Sequence, residues 1–413
     1  MTPERFLYLL LFTATLAGAA LHHRFGQTPG SEAALATVPP NPAPPARAGT
    51  GPDLLQPVPE KLLDFVRQDL GLPPAAHFPR LKLVSPDEIR NATERHLHFI
   101  YGPEGLAAQE ALWQSLRLLR PGDSLQASWL NLILNGEFGL YDFASDTILL
   151  PAHLDLSDPT QQSILVRLLT YQRLARLRPP SRSVGVPPAS IDAYRAWHAL
   201  AMGTAYDTEK RFRQKLALNP ESSDSPATLR DSLLLSFSPA FQNLANLPLI
   251  EGRQVSNAAY LASRSEFSAL LTNPPASTLA LLKLSATNES DENEKGEKNE
   301  NAASPASPEL SPNPEPPAGD GFPDALGAFG LRLLLDPEIG LQASTELSRH
   351  WRGDRLQLTS DKLTLRLRLS SPASANRVRD ELQKIFPEAA LELADTELAL
   401  TLPLPADPNA HQP

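Results

Sequence analysis

The sequence predicts a mostly helical α+β protein that follows a hydrophobic N-terminal segment and a proline-rich linker. Two patterns predict this fold class. Segments between Glu60 and Leu282 repeat apolar residues at helical spacing. Near the C-terminus, Lys362–Leu369 (KLTLRLRL) alternates strictly, which is typical of an antiparallel strand with one buried face. The expected architecture is therefore a helical body with a β-hairpin, followed by a small antiparallel sheet that carries one helix.

Composition excludes several classes of function. The chain has 413 residues and no cysteine, so disulfides, thiolate catalysis and cysteine-bound zinc are excluded. The formal charge is −10, but nine acidic residues and two lysines between Asn288 and Asp320 contribute −7 of it. The rest of the chain is nearly balanced, and without a basic face nucleic acid is not expected as a partner.

The N-terminus predicts export. Phe6–Ala20 is continuously apolar, and Ala17–Ala19 offers a small-residue cleavage site. Leu21 extends the apolar run, so two alternatives stay open: a cleaved signal peptide, or an uncleaved membrane anchor over residues 6–22. Either alternative places the chain in the periplasm or on the outer face of the cytoplasmic membrane, and an uncleaved anchor would make this segment its contact to the lipid.

The helical body is expected to begin at Glu60. Glu60–Leu70 has the spacing of an amphipathic helix, and Phe78–Val84 alternates like a strand. Ser85 followed by a proline and two acids is typical of a helix start. A hairpin is predicted within Gly136–Pro151, and two long helices follow, of which the second spans Ser190–Leu216. Further helices are predicted across Thr228–Leu235, Phe241–Leu244, Gln254–Leu261, Pro323–Leu335, Pro337–Trp351 and Ala373–Phe386.

The predicted domain organisation follows from the shifts in composition. The chain has 42 prolines, about twice the usual share, and they cluster in segments that cannot build a core. The segments are 1–26 (signal or anchor), 27–59 (disordered Pro/Ala-rich linker), 60–284 (helical body), 285–321 (disordered acidic and proline-rich insertion), 322–403 (remainder of the body and C-terminal α+β unit) and 404–413 (disordered tail).

Motif scanning finds no recognisable active site. The sequence lacks an HExxH pattern, a GxSxG elbow and a glycine-rich phosphate loop with its lysine. His96 and His98 would share one face if they lay on a strand, which makes a weak metal site conceivable, but no third ligand accompanies them. The structural interpretation of this pair is therefore favoured. His153 and His198 are isolated and are interpreted as structural.

Five short motifs stand in a definite order between Phe78 and Phe386. They are Gly139–Asp142 (GLYD), Ala199–Ala205 (ALAMGTA), Pro274–Thr278 (PPAST), Leu326–Gly330 (LGAFG) and His350–Arg355 (HWRGDR). This order resembles a family of exported bacterial zinc metallopeptidase-like proteins of gluzincin type. That family's pattern has a G-x-Y-D hairpin, an HELTH helix, an E-G-D-A helix, a P-P-x-S-T loop, L-G-x-x-G and G-W-x-G-D-R. The resemblance covers about three quarters of the chain and implies a metallopeptidase-like helical body.

The sequence departs from that pattern at the positions that hold zinc and activate water in the family. In the family, two histidines of HELTH and the glutamate of E-G-D-A hold zinc, and the glutamate of HELTH activates water. Here Arg167 and Tyr171 stand at the positions of the two histidines, and Met202 stands at the position of the liganding glutamate. Leu168 stands at the position of the glutamate that activates water. Arginine stays protonated, leucine is no base, and methionine prefers soft metals. We therefore expect no zinc, no other cofactor and no catalytic residue. An Arg167–Tyr171 polar or stacked pair is expected to fill the former metal cavity.

Two functional hypotheses follow. The first is a non-catalytic pseudo-metallopeptidase of the cell envelope that serves as a binding or structural domain, with a peptide or an envelope protein as the expected partner. The alternative is a metal-dependent hydrolase with a site around His96 and His98. An apolar cleft beside Arg167 would favour binding over a purely structural role.

Overall fold

The structure is a computed structural model that describes residues 55–73, 79–102, 104–177, 190–218, 226–294, 321–323, 325–359 and 361–403. The predicted signal or anchor, most of the linker, most of the acidic insertion and the C-terminal tail lie outside these residues. None of the helices within the described residues is both long and apolar enough to span a bilayer.

The first half of the body combines helices with a three-stranded sheet. Its elements are α1 (Glu60–Leu70), β1 (Arg80–Val84), α2 (Pro86–Tyr101), α3 (Gly105–Ser115), α4 (Leu125–Leu132), a π-helical turn (Ile133–Glu137), β2 (Leu140–Asp142) and β3 (Thr147–Pro151). The sheet order is β1-β3-β2, with β1 parallel to β3 and β2 antiparallel to it. The predicted α1 bounds are confirmed, and so are the hairpin and the helix start, where Ser85 and Glu88 form a capping box.

Two long neighbouring helices form the centre of the body. They are α5 (Pro159–Leu177) and α6 (Ile191–Lys215). The hydroxyl of Ser190 caps α6 by accepting a hydrogen bond from the Ala193 N–H. Both helices are buried on most faces, so they pack as core helices rather than as amphipathic surface helices.

Shorter helices and the C-terminal unit complete the fold. The helical elements are α7 (Pro226–Leu234), α8 (Pro239–Asn246), a second π-helical turn (Pro248–Gly252), α9 (Arg253–Ala262), α10 (Arg264–Thr272) and α11 (Thr278–Glu294). The C-terminal unit consists of β4 (Phe322–Pro323), α12 (Gly327–Ser348), β5 (Trp351–Leu358), β6 (Lys362–Leu369), α13 (Pro372–Ile385), β7 (Ala390–Ala394) and β8 (Glu397–Pro403). The antiparallel sheet that the alternation predicted is present, and its strand order is β4-β5-β6-β8-β7.

Several predicted boundaries differ from the observed ones. Helix α11 continues to Glu294, past the predicted start of the insertion, and the hydroxyl of buried Ser285 donates to the Gln254 side chain. The helix predicted over Pro337–Trp351 is wrong at its end, because Trp351 begins β5. Helix α12 is broken at Gly340, whose φ of 79° is outside the helical range.

Two of the five motifs from the sequence form a buried junction between the helical body and the C-terminal unit. We define this Asp354 junction as Asp192, Thr278, Leu326, Gly327, Phe329, Trp351 and Asp354. Fully buried Asp354 accepts hydrogen bonds from the Leu326 N–H (2.9 Å), the Gly327 N–H (2.7 Å) and the Trp351 indole (3.0 Å). Because every one of these donors is satisfied, the LGAFG and HWRGDR motifs act here as structural contacts.

A second carboxylate completes the Asp354 junction. Asp192, at the start of α6, accepts hydrogen bonds from the backbone N–H (2.9 Å) and the hydroxyl of Thr278. The Thr278 hydroxyl oxygen in turn accepts from the Phe329 N–H at 3.1 Å. Gly327 packs so closely against Asp192 that a Cβ at this position would lie 2.0 Å from the carboxylate. The PPAST motif therefore anchors α11 to α6 and α12.

Candidate binding cavity

The positions aligned with the zinc site surround one cavity of about 100 Å³. Leu168 and Tyr171 from α5 and Met202 from α6 line it. Arg167 lies behind the lining residues Glu137 and Tyr206, with which it is in contact. Three of the four aligned positions therefore meet at this cavity, and Arg167 is outside its lining. Several wall residues are partly exposed, so the cavity reaches solvent; they include Trp129, Glu137, His198 and Tyr206.

Arg167 is held by two carboxylates and a tyrosine. Its Nη2 lies 3.6 Å from Oε2 of Glu137 and donates to the Glu137 backbone carbonyl, while its Nη1 lies 3.4 Å from Oε2 of Glu209. The guanidinium also lies over the Tyr206 ring, 5.0 Å from the centroid. The expected pairing of Arg167 with Tyr171 is wrong, because two acids that the sequence alignment does not bring together reach the guanidinium first.

Glu137 belongs to a second ion pair at the same end of the cavity. Its carboxylate accepts hydrogen bonds from Nε of Arg230 (2.8 Å) and from the Tyr206 hydroxyl (2.7 Å). Burial raises the pKa of Glu137, but Arg167 and Arg230 outweigh it, so the net pKa is lowered. Burial raises the pKa of Glu209, and Arg167 only partly offsets this effect.

Tyr171 contacts a histidine rather than Arg167. Its hydroxyl lies 2.9 Å from Nδ1 of His198, and the Tyr194 hydroxyl lies 3.2 Å from Nε2 of His96. Burial lowers the pKa of His198 to about 4 and that of His96 to about 3, where the neighbouring His198 adds to the effect. Both imidazoles are therefore neutral at pH 7 and serve as hydrogen-bonding groups within an aromatic wall.

The predicted alternative site at His96 and His98 is not assembled. Both residues lie on helix α2, not on a strand. Residues two apart on a helix point to different sides, and accordingly His96 is buried in the cavity wall while His98 is exposed. The described residues contain no group of three or more His, Asp or Glu side chains arranged to hold a metal ion.

The residues at the positions aligned with the zinc ligands of the resembled family do not fit zinc. A zinc ion needs neutral imidazole, thiolate or carboxylate donors in a tetrahedral arrangement. The guanidinium of Arg167 already occupies the space between Glu137 and Glu209, and its positive charge is the one those two carboxylates neutralise. The cation that balances these acids is thus part of the chain.

One face of α6 supplies most of the polar groups that sequence reasoning missed. Arg195, His198, Met202 and Tyr206 all line the cavity, at spacings of three, four and four residues. This spacing places them in one stripe about 16 Å long. In the sequence, the spacing of Arg195, His198 and Tyr206 could have indicated a shared helix face, whereas nothing local singles out Glu137 and Glu209.

Comparison with protein-family models finds no match to this chain. Comparisons with curated proteins and with solved structures give no significant match either.

Proposed function

We propose that this chain is a non-catalytic pseudo-metallopeptidase that acts as a binding domain at the cell envelope. The observation that carries the proposal is that Leu168, Tyr171 and Met202, at the positions aligned with a zinc site, line one cavity with Arg167 directly behind it. Their side chains supply neither zinc donors nor a general base, but they leave a mostly apolar space.

The cavity favours binding over a purely structural role. Its wall is dominated by leucine, isoleucine and aromatic side chains, with a few polar groups directed into it. Ligand sites in proteins have this composition, with apolar groups providing affinity and isolated polar groups fixing orientation. A peptide or envelope protein that inserts an apolar side chain would fit such a site. The envelope location rests on the N-terminal sequence and is part of the proposal.

The absence of zinc chemistry can be tested by metal analysis. Protein equilibrated with zinc sulfate and then desalted should retain well below one zinc per chain and should not hydrolyse casein. A fourfold variant, Arg167→His, Leu168→Glu, Tyr171→His and Met202→Glu, restores the aligned ligands and serves as the positive comparison. Retention of one zinc per wild-type chain together with casein hydrolysis would contradict the proposal.

Binding to the cavity can be tested with a neutral probe. Hexanamide observed by saturation-transfer NMR should bind the wild type, and Met202→Trp, which fills the cavity, should abolish the signal. The matched control is Leu261→Trp, because Leu261 is 74% exposed. Circular dichroism confirms that both variants fold. A missing hexanamide signal, or one that Met202→Trp leaves unchanged, would refute the binding role.

A further inference from the structure

Arg195 is a buried cation that has no counter-charge among the described residues. It lines the cavity and is 5% exposed. Its Nη1 donates to the backbone carbonyls of Leu326 (2.9 Å) and Ala325 (3.3 Å). Its Nε and Nη2 have no hydrogen-bond partner, and no carboxylate of the described residues pairs with it. A buried charge without a counter-charge is costly, so this edge calls for an explanation.

Other arginines of the same molecule show what this edge binds. Arg211 holds Asp69 through its Nε and Nη2, each 2.7 Å from one carboxylate oxygen. Arg176 donates hydrogen bonds to Asp146 through the same two nitrogens. This two-point arrangement matches the geometry of a carboxylate. Arg195 has the same pair of donors without a carboxylate, and its side chain belongs to the cavity wall.

Two further polar groups lie next to this edge. The indole Nε1 of Trp129 is buried without a partner and Trp129 lines the cavity, as does Tyr101. Burial raises the pKa of Tyr101, whereas the charge of Arg195 and weak hydrogen bonding of the phenol with Arg195 and Trp129 lower it, which places both beside the phenol. Guanidinium, indole N–H and phenol therefore form a cluster of donors around one point in the wall.

The remainder of the cavity defines the rest of the ligand. Leu97, Ile100, Leu132, Leu244 and Leu247 line it and offer only apolar contact. At the far end of the α6 stripe, Glu137 is already neutralised by Arg167 and Arg230, so no second charge of the ligand is needed there. The cavity has about 100 Å³ of enclosed space and opens to solvent, so a narrow chain that extends partly out of it fits better than a large ring system.

We propose that the cavity binds a monocarboxylate with a short apolar body, with its carboxylate on Nε and Nη2 of Arg195 and its chain running along α6 toward Met202. This inference rests on the proposed binding function of the same cavity. Two sources share this chemistry: a free aliphatic acid and the C-terminal carboxylate of a peptide that ends in an apolar residue.

The decisive test compares hexanoate with hexanamide on the unmodified protein by isothermal titration calorimetry. The two ligands have the same chain, but only the acid can form the two-point ion pair. We expect hexanoate to bind at least about tenfold more tightly. Arg195→Gln should remove this preference, whereas Arg366→Gln, at an exposed position of β6, should keep it.

The outcomes separate this inference from the proposed function. If hexanamide binds in a Met202-dependent manner and neither hexanoate nor N-acetyl-Ala-Leu binds more tightly than its amide, the carboxylate assignment is wrong and the binding role stands. If no ligand of either pair binds, both fail. If Arg195→Gln does not fold, the comparison of acid and amide on the wild type still decides. N-acetyl-Ala-Leu and its C-terminal amide form the peptide arm: an acid preference in this arm alone indicates a peptide terminus, and one with hexanoate alone indicates a free acid.

Discussion

Two buried arginines, one in the cavity wall and one behind it, differ in their partners. Arg167 on α5 is 3% exposed and lies between two carboxylates, whereas Arg195 on α6 is 5% exposed and pairs with no carboxylate of the described residues. Burial is thus equal, but the charge of Arg167 is compensated within the chain and that of Arg195 is not. Compensation, rather than burial, separates a structural arginine from one available to a ligand.

We expect the largest loss of stability when Arg167, whose charge two carboxylates balance, is replaced. Arg167→Met leaves Glu209 without its cation, and we expect a loss of about 4 kcal/mol in the free energy of unfolding. Adding Glu209→Gln should recover part of this loss, because it removes the orphaned charge. Urea denaturation measures both variants, with Arg377→Met, at an exposed ion pair, as the control. An unchanged stability of Arg167→Met would show that Arg167 is not structural.

We expect a substitution in the Asp354 junction to lower stability, as the substitution of Arg167 does. Asp354→Asn replaces one acceptor oxygen by an amide that faces backbone N–H groups, and should cost about 3 kcal/mol in the same denaturation experiment. Asp380→Asn, on the exposed surface of α13, should change stability by less than about 0.5 kcal/mol. Equal effects of the two substitutions would remove the structural role assigned to the HWRGDR motif.

The histidines of the cavity wall predict acid sensitivity. Burial, with a smaller contribution from His198, holds the pKa of His96 at about 3, below its unfolded value of about 6.5. The unfolded chain therefore binds the proton first, and stability is lost as the pH falls from 6.5 toward 3. His96→Gln should flatten the slope of unfolding free energy against pH by about 1.4 kcal/mol per pH unit in this window.

The control for this pH series is His153→Gln at an exposed position, which should leave the slope as it is in the wild type. A His96→Gln slope equal to that of the wild type would mean that the imidazole is not buried in its neutral form.

Much of the fold could be predicted from local patterns. Glu60–Leu70 and Lys362–Leu369 have the bounds that their periodicity predicted, since each buries one face against a single neighbouring layer. Predicted helix boundaries were wrong where tertiary contacts set the end of an element. Trp351 belongs to β5, where its indole donates a hydrogen bond to buried Asp354. A helical pattern alone cannot show this contact.

The candidate site was predictable only in part. Aligned motifs located Leu168, Tyr171 and Met202, but the partners of Arg167 come from a π-helical turn and from two turns further along α6. Arg195 looks like an ordinary arginine in the sequence, because its free edge is a property of everything packed around it. Missing partners are visible only in three dimensions.

The central claim is that Arg195, unlike Arg167, is not needed for folding. Urea denaturation of Arg195→Gln without ligand tests it most directly. We predict a change within about 1 kcal/mol of the wild type, because the loss of the hydrogen bonds from Nη1 and of the contact with the Trp113 ring is offset by the removal of an uncompensated buried charge. A loss as large as that of Arg167→Met would contradict the account and would make Arg195 a structural residue.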